Sequence, residues 1–217
     1  GKGGAEMTLE SRMARRAGLS AALGAAALLV AACGRSEPGV KFQASDVTGV
    51  KWGRDFHLTD PTGAPRSLAD YHGKVVLLFF GYTNCPDECP TTLAKMAQAV
   101  DRLGGDGKRV QGIFVTVDPV RDASAVLAKY VAAFHPSFVG LTASEAVIAA
   151  TTKDFKVFYE DQPRDDHGFY SVDHNSGIFV FDPQGRLRLF MGANIWVDAM
   201  VHDLELLLHA PTKAEQS

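Results

Sequence analysis

The chain has 217 residues, which is enough for one domain with an extension but short for two domains of ordinary size. A hydrophobic fraction of 46% indicates a folded globular protein, and a net charge of −3 without a basic cluster in the main part of the chain argues against nucleic acid as a partner. There are three cysteines, so only Cys85 and Cys89 remain as a local pair if Cys33 is consumed by processing.

Residues 1–33 are predicted to be an export signal. A basic segment at residues 13–16 precedes an apolar, small-residue run at 17–32, which is shorter than the ~20 residues that span a bilayer. The ending LVAAC at 29–33 resembles the bacterial lipobox, in which the cysteine, here Cys33, is lipidated and becomes the new N-terminus. An uncleaved anchor, or a plain signal with an incidental cysteine, is the alternative. Each version predicts a domain that functions outside the cytoplasm.

Residues 34–50 are polar and interrupted by glycine and proline, which predicts a flexible tether that lifts the domain off a membrane. The folded domain is predicted over residues 51–211. Near its start, residues 55–63 indicate a strand that enters a turn. The apolar run VVLLFF at 75–80 follows, and such a run is typical of a central strand buried on both faces.

The segment after this run predicts a helix. The sequence TTLAKMAQAVDRL at 91–103 has its apolar residues on one face, and Pro90 suits a first-turn position. Cys85 and Cys89 therefore lie on the loop and first turn between a buried strand and a helix. Ligands and reactive groups gather at that end of an α/β sheet, and helix N-terminal amides favour the thiolate form of cysteine.

The remainder of the chain alternates strands and helices. Strands are predicted at 110–117 and 138–141, helices at 124–134 and 144–155, a hairpin at 179–181 and 187–190, and a final helix at 197–209. This order predicts an α/β fold with a central mixed sheet flanked by helices, in the arrangement of a thioredoxin-like fold.

The spacing of Cys85 and Cys89 points to chemistry at the thiols. Four residues make about one helical turn, so both sulfurs can lie on the same side, where they could form a disulfide or hold one metal ion. Two ordinary core cysteines are the structural alternative. A third ligand would come from another loop at the same end of the sheet, and His174 is the candidate, with His167 as runner-up. A lone histidine is more often a surface residue, so position alone leaves this assignment open.

Three motifs carry a family resemblance. FFGYTNCPDECPTTLAKM, VTVDPVRD and YSVDHNSGIFVFDPQG occur in this order within residues 55–209, and together they resemble the Sco/SenC family. Members of that family are thioredoxin-fold, membrane-tethered copper proteins that serve cytochrome c oxidase assembly. The resemblance implies copper ligands at Cys85, Cys89 and His174, and loop-supporting roles for Asp118-Pro119 and Asp173.

Two residues beside the cysteines depart from the family pattern. Asn84 stands where many members have histidine, and Glu88 stands where an apolar residue is common. Both flank the implied ligands, so we expect them to shift metal affinity or redox poise without removing the site.

The resemblance implies a copper chaperone, tethered in the bacterial periplasm or at the cell-envelope surface, for the dinuclear copper site of an oxidase subunit. Two thiolates and an imidazole suit Cu(I) and accept Cu(II); zinc would take the same groups with its fourth position open. The expected partners are the copper-site subunit, a thiol reductase, a copper donor and, through lipid on Cys33, a membrane.

Two other functions compete with this one. The first is an enzyme, a thiol–disulfide oxidoreductase that uses Cys85 and Cys89 without metal. The second is a copper-buffering or redox-sensing protein with no delivery partner. A dithiol reductase has no evident need of His174, and its usual motif has two residues between the cysteines rather than three, so both features favour the metal-binding hypothesis.

Overall fold

The structure, a computed structural model, describes residues 41–164, 166, 170–174 and 177–210, and gives the backbone alone for Asp161, Asp173 and His174. Its strands are β1 Ser45–Asp46, β2 His57–Thr59, β3 Pro65–Ser67, β4 Val75–Gly81, β5 Val110–Thr116, β6 Val139–Leu141, β7 Tyr159–Asp161, β8 Val172–His174, β9 Gly177–Phe181 and β10 Leu187–Gly192. Its helices are α1 Glu88–Arg102, α2 Ser124–Ala132, α3 Glu145–Asp154 and α4 Val197–Leu208, with short 3-10 helices at Leu68–Tyr71 and Gly104–Arg109. The predicted signal segment with Cys33 lies outside the described residues, as does His167.

A six-stranded mixed sheet forms the framework, in the order β1-β10-β9-β4-β5-β6. Strands β4, β5 and β6 run parallel to one another, whereas β9 is antiparallel to both β4 and β10. Helices α1 and α4 pack together, and α2 packs along β6. The predicted α/β fold with a mixed sheet and flanking helices is confirmed. None of the helices in the described ranges is both long enough and apolar enough to cross a bilayer.

Strand β4 is the centre of the core. All seven of its residues are buried, and so are all seven of β5. Neighbouring residues of a strand point to opposite faces. Phe79 packs against Phe114 at 6.0 Å between ring centres, and Phe80 packs against Phe155 at 5.2 Å and Phe179 at 5.9 Å. Each buried phenylalanine stabilises the fold by about 1.5–3 kcal/mol. The predicted burial of this strand on both faces is therefore observed.

The sheet brings the three sequence motifs to one end, where strands β4 and β5 finish and strand β9 begins. The parallel strands β4 and β5 end in register at Gly81 and Thr116. Strand β9 runs the other way and begins at Gly177, which precedes the residue paired with Phe79. The cysteine loop after β4, the loop after β5 and the start of β9 consequently lie at the same end of the sheet.

The domain begins earlier than its predicted start at residue 51. The compact unit starts at Phe42, and β1 pairs with β10 at the edge of the main sheet. The fully buried carboxylate of Asp203, on α4, accepts hydrogen bonds from the backbone N–H groups of Gln43 at 2.9 Å and Ala44 at 2.8 Å. The part of the predicted tether from residue 42 to 50 therefore belongs to the domain, because a buried acceptor and a strand edge hold it there.

Candidate metal centre

The two thiols lie where strand β4 passes into helix α1. Cys85 is half-buried in the loop after Gly81, and Cys89 is fully buried in the first turn of α1. The Cys89 backbone N–H donates to the Cys85 Sγ at 3.4 Å, so the four-residue spacing does bring the second cysteine back onto the first. The two cysteines are not joined in a disulfide. The helix begins two residues before Pro90, which lies in the first turn as predicted.

Gly81 makes room for the buried sulfur, a role that the sequence analysis did not identify. A Cβ at this position would lie 2.7 Å from the Cys89 Sγ and 2.8 Å from a ring carbon of Phe114. Atoms do not pack that closely, so any larger residue would push the sulfur or the ring out of place. The Gly81 in the FFGYTNC motif thus reflects packing against Cys89.

The two thiols have opposite acidities. A hydrogen bond from the Cys89 thiol lowers the pKa of Cys85 to about 5; partial burial opposes this shift, and the backbone N–H groups of Cys89, Asp87 and Glu88 add to it. The same hydrogen bond, together with burial, raises the pKa of Cys89 far above its ordinary range. At neutral pH the pair therefore holds one thiolate, on Cys85, and one proton, on Cys89.

This asymmetry predicts the pH dependence of Cys85 alkylation. The thiolate is the reactive form, so the rate of iodoacetamide labelling at Cys85 should be level from about pH 8 to 6. It should fall as the pH drops through about 5. Mass spectrometry that locates the label within the peptide measures this rate. In Cys89→Ala the main donor is lost and the midpoint should rise. A wild-type midpoint near the free-thiol value of about 8.5 would contradict the assignment.

Tyr82 connects the cysteine loop to β8. Burial raises the pKa of the Tyr82 hydroxyl; the backbone N–H of Val172 donates to this hydroxyl, which opposes the shift, and the hydroxyl donates to the Cys85 sulfur. One side chain thus contacts both the thiol loop and the strand that carries His174. The backbone of His174 lies two residues farther along β8 and pairs with Tyr159.

The structure brings the strand of His174 to the cysteines without describing its imidazole. Among the side chains that it does describe, no three His, Cys, Asp or Glu residues are arranged to hold a metal ion. Among the described residues, four other histidines pair with aspartates: His57 with Asp55, His135 with Asp101, His202 with Asp203 and His209 with Asp106. The ligand assignment of His174 stays a prediction.

A buried carboxylate supports the cysteine loop from behind. Asp122 is completely buried and accepts hydrogen bonds from the Thr83 backbone N–H at 2.9 Å, the Thr83 hydroxyl at 2.5 Å and the Thr116 hydroxyl at 2.7 Å. Burial raises the pKa of Asp122, and these hydrogen bonds oppose the rise. Asp122, the second aspartate of the VDPVRD motif, therefore fixes Thr83, two positions before Cys85. Only the three-dimensional contact reveals this role.

Residues 45–209 match the family model described as SCO1/SenC, which covers most of the chain. The chain belongs to the SCO1/SenC family. It is 40% identical over 152 residues to the mitochondrial SCO2 homologue of Mus musculus, with 69% of this chain and 60% of that protein aligned. A SCO2-like protein of Rickettsia felis is 41% identical over 138 residues, 63% of this chain and 67% of that protein. The chain spans about half to three-fifths of the length of the mitochondrial relatives that it matches.

Solved SCO1/SenC structures have the same fold. Apo Sco1 of Thermus thermophilus is 40% identical with a TM-score of 0.70, covering 78% of this chain and 99% of that one. Two structures described as having copper bound also match. Arabidopsis thaliana ScoI is 33% identical with a TM-score of 0.65, covering 69% and 93% of the two chains. Yeast Sco1 is 30% identical with a TM-score of 0.67, covering 81% and 93%. The resemblance and the thioredoxin-like fold predicted from the sequence are both confirmed.

Proposed function

We propose that this chain is an extracytoplasmic copper chaperone for the dinuclear copper site of cytochrome c oxidase, with Cys85, Cys89 and His174 as copper ligands. The observation that carries the proposal is the thiol pair at the sheet edge, linked through Tyr82 to the strand of His174. Family members of known structure with copper bound support the choice of metal.

The donor set fits copper chemically. Thiolate sulfur and imidazole nitrogen are ligands that Cu(I) favours and Cu(II) accepts. Cys85 is already a thiolate near neutral pH, because its pKa is lowered to about 5, so the first ligand needs no proton removed. Cys89 must lose its proton when copper binds, and this proton is released to solvent. Loading is therefore expected to be tighter at higher pH.

The surroundings of the thiols suit a site that takes up and releases its cargo. Cys85 is only half-buried, and Asn84, Pro86, Asp87 and Glu88 beside it are exposed. An acceptor protein can therefore approach Cys85 while Cys89 stays within the core. The carboxylates of Asp87 and Glu88 place negative charge beside the thiols, which favours a bound cation.

The proposal includes a membrane tether. Lipid on Cys33 would hold the domain at the periplasmic or outer face of the bacterial cell envelope, near an oxidase subunit. Cys33→Ser is expected to block lipid attachment and release the protein from the membrane, while thermal unfolding of the domain from Phe42 onward stays unchanged. Mass spectrometry of the mature wild-type protein that shows an unmodified, uncleaved N-terminus would rule out the lipoprotein.

The second candidate is a thiol–disulfide oxidoreductase, and the opposite acidities of the two thiols favour it. The Cys85 thiolate would attack a partner disulfide, forming a mixed disulfide and releasing one partner thiolate. Cys89 would then lose its proton and attack the Cys85 sulfur, so that the partner leaves as a dithiol and Cys85–Cys89 is oxidised. The same reaction would prepare the thiols of a copper site in the acceptor.

Metal analysis beside a reductase assay tests the proposal. The purified protein, reduced and handled without oxygen, is expected to retain about one copper ion per chain after desalting. Reduction of a disulfide substrate, such as insulin, is measured on the same preparation. A protein that retains no copper yet reduces disulfides efficiently would overturn the chaperone function and favour the enzyme.

A further inference from the structure

Arg121, in the loop between β5 and α2, holds two separate parts of the chain together. Its Nε donates to the carboxylate of Asp118, and its Nη1 donates to the backbone carbonyl of Tyr170 at 2.8 Å. The Arg121 side chain is 19% exposed and that of Asp118 is 3% exposed. Ion pairs so far removed from water are screened little and cost much to break.

Arg121 and Asp118 also contact the side chain of Tyr170. The guanidinium carbon of Arg121 lies 3.5 Å from the centre of the Tyr170 ring, a cation–π contact. At the far end of the ring, the Tyr170 hydroxyl donates to Asp118 Oδ1 at 3.0 Å. Backbone carbonyl, ring and hydroxyl of Tyr170 are thus all held by the Asp118–Arg121 pair.

Tyr170 matters because it leads into the strand of His174. It lies two residues before Val172, whose N–H donates to the Tyr82 hydroxyl, and the Arg121 guanidinium carbon lies 5.7 Å from the Tyr82 ring centre. Within the described residues, β7 and β8 pair only with each other. An isolated two-stranded ribbon has marginal stability by itself. Its position against the cysteine loop therefore depends on side-chain contacts such as these.

We propose that Arg121, together with Asp118, is a positioning residue that sets copper affinity by holding the segment from Tyr170 to His174 against the cysteine loop. This inference rests on the proposed function, since it concerns the third ligand of that site. It predicts that Arg121 acts through His174 and leaves the thiol pair itself unchanged.

A double-mutant cycle on the full chain tests this coupling, with copper alone as the probe. Arg121→Gln is expected to lower copper affinity about 10–100-fold, the usual effect of an outer-shell residue. In a His174→Ala background the same substitution should lower affinity by less than about threefold, because the ligand it positions is absent. Arg121→Lys keeps the charge but not the planar fork, so its affinity should fall between wild type and Arg121→Gln.

Arg186→Gln is the matched control. Arg186 pairs with the buried Asp182 through Nε at 2.8 Å, in the turn between β9 and β10 at the opposite end of the sheet. Its loss should leave copper affinity unchanged. Thermal unfolding of every variant separates loss of fold from loss of affinity. If Arg121→Gln does not fold, Tyr170→Phe, which removes only the hydroxyl bond to Asp118, takes its place in the cycle.

Amide hydrogen exchange gives a readout that needs no metal. Arg121→Gln should speed exchange in β7 and β8 while β4 and β9 keep wild-type rates. Unchanged copper affinity in folded Arg121→Gln, or an equal loss with and without His174, would overturn the positioning role. A wild-type protein that binds no copper would overturn the proposed function instead. In that case, unchanged hydrogen exchange of β7 and β8 in Arg121→Gln would independently exclude the role of Arg121 in holding these strands.

Discussion

Oxidation of Cys85 and Cys89 to a disulfide is expected to abolish copper binding. The disulfide consumes both sulfur ligands, and His174 alone would be left to hold the ion. Since loss of even an outer-shell partner weakens metal sites about 10–100-fold, loss of two ligands should lower affinity by well over 100-fold. A competitive copper titration of reduced and oxidised protein measures the difference.

Two controls complete this comparison. Reduction of the oxidised sample should restore the wild-type affinity, which excludes irreversible damage. The double variant Cys85→Ser, Cys89→Ser should match the oxidised protein and should not respond to reductant. Undiminished copper affinity in the fully oxidised protein would contradict the ligand assignment. Exported compartments are oxidising, so copper loading in the cell requires a reductase that keeps Cys85 and Cys89 reduced.

The core and the position of the thiols could be predicted because their signals are local. Six consecutive apolar residues at 75–80, β-branched and aromatic at the two ends, favour a strand covered on both faces, and β4 is such a strand. Pro90 and the four-residue spacing likewise place Cys89 in a first helical turn, where the structure has it. Each of these features depends on residues adjacent in sequence.

Contacts between distant residues could not be predicted in this way. Strand β1 has two residues and no hydrophobic alternation. It is held by pairing with β10 and by the Asp203 carboxylate on the last helix, which accepts hydrogen bonds from Gln43 and Ala44 just before the strand. Asp122 and Arg121 stand in a motif visible in the sequence, but their partners Thr83 and Tyr170 lie elsewhere in the chain. His174 is the extreme case, since its position alone does not distinguish it from an ordinary histidine and only the family resemblance implies that it is a ligand.

The order in which Cys85 and Cys89 lose their protons could be inferred only from the structure. The sequence predicts thiolate character for both cysteines near a helix N-terminus, yet only Cys85 has a lowered pKa. The difference arises from burial and from the direction of one hydrogen bond, because the enclosed Cys89 donates and the half-exposed Cys85 accepts. Neither quantity is encoded in the spacing of the two residues.

His174→Ala is expected to separate the copper chaperone from the oxidoreductase. Removing one of three proposed ligands should lower copper affinity at least as much as the loss of an outer-shell partner does, which is typically about 10–100-fold. The substitution leaves both thiols, the hydrogen bond between them and the helix-end backbone in place, so the Cys85–Cys89 disulfide should still form and reduce. A copper titration and a thiol-trapping gel measure the two properties on one sample.

The cellular outcome of this substitution decides between the two functions. Cells that carry His174→Ala should fail to assemble active cytochrome c oxidase, if delivery of copper is the task. His209→Ala is the control, because His209 is an exposed histidine paired with Asp106 near the start of β5, at the other end of the sheet. This variant should support wild-type oxidase activity. If oxidase assembly is unaffected by His174→Ala although copper binding is lost, metal delivery is excluded and thiol reduction becomes the function of the pair.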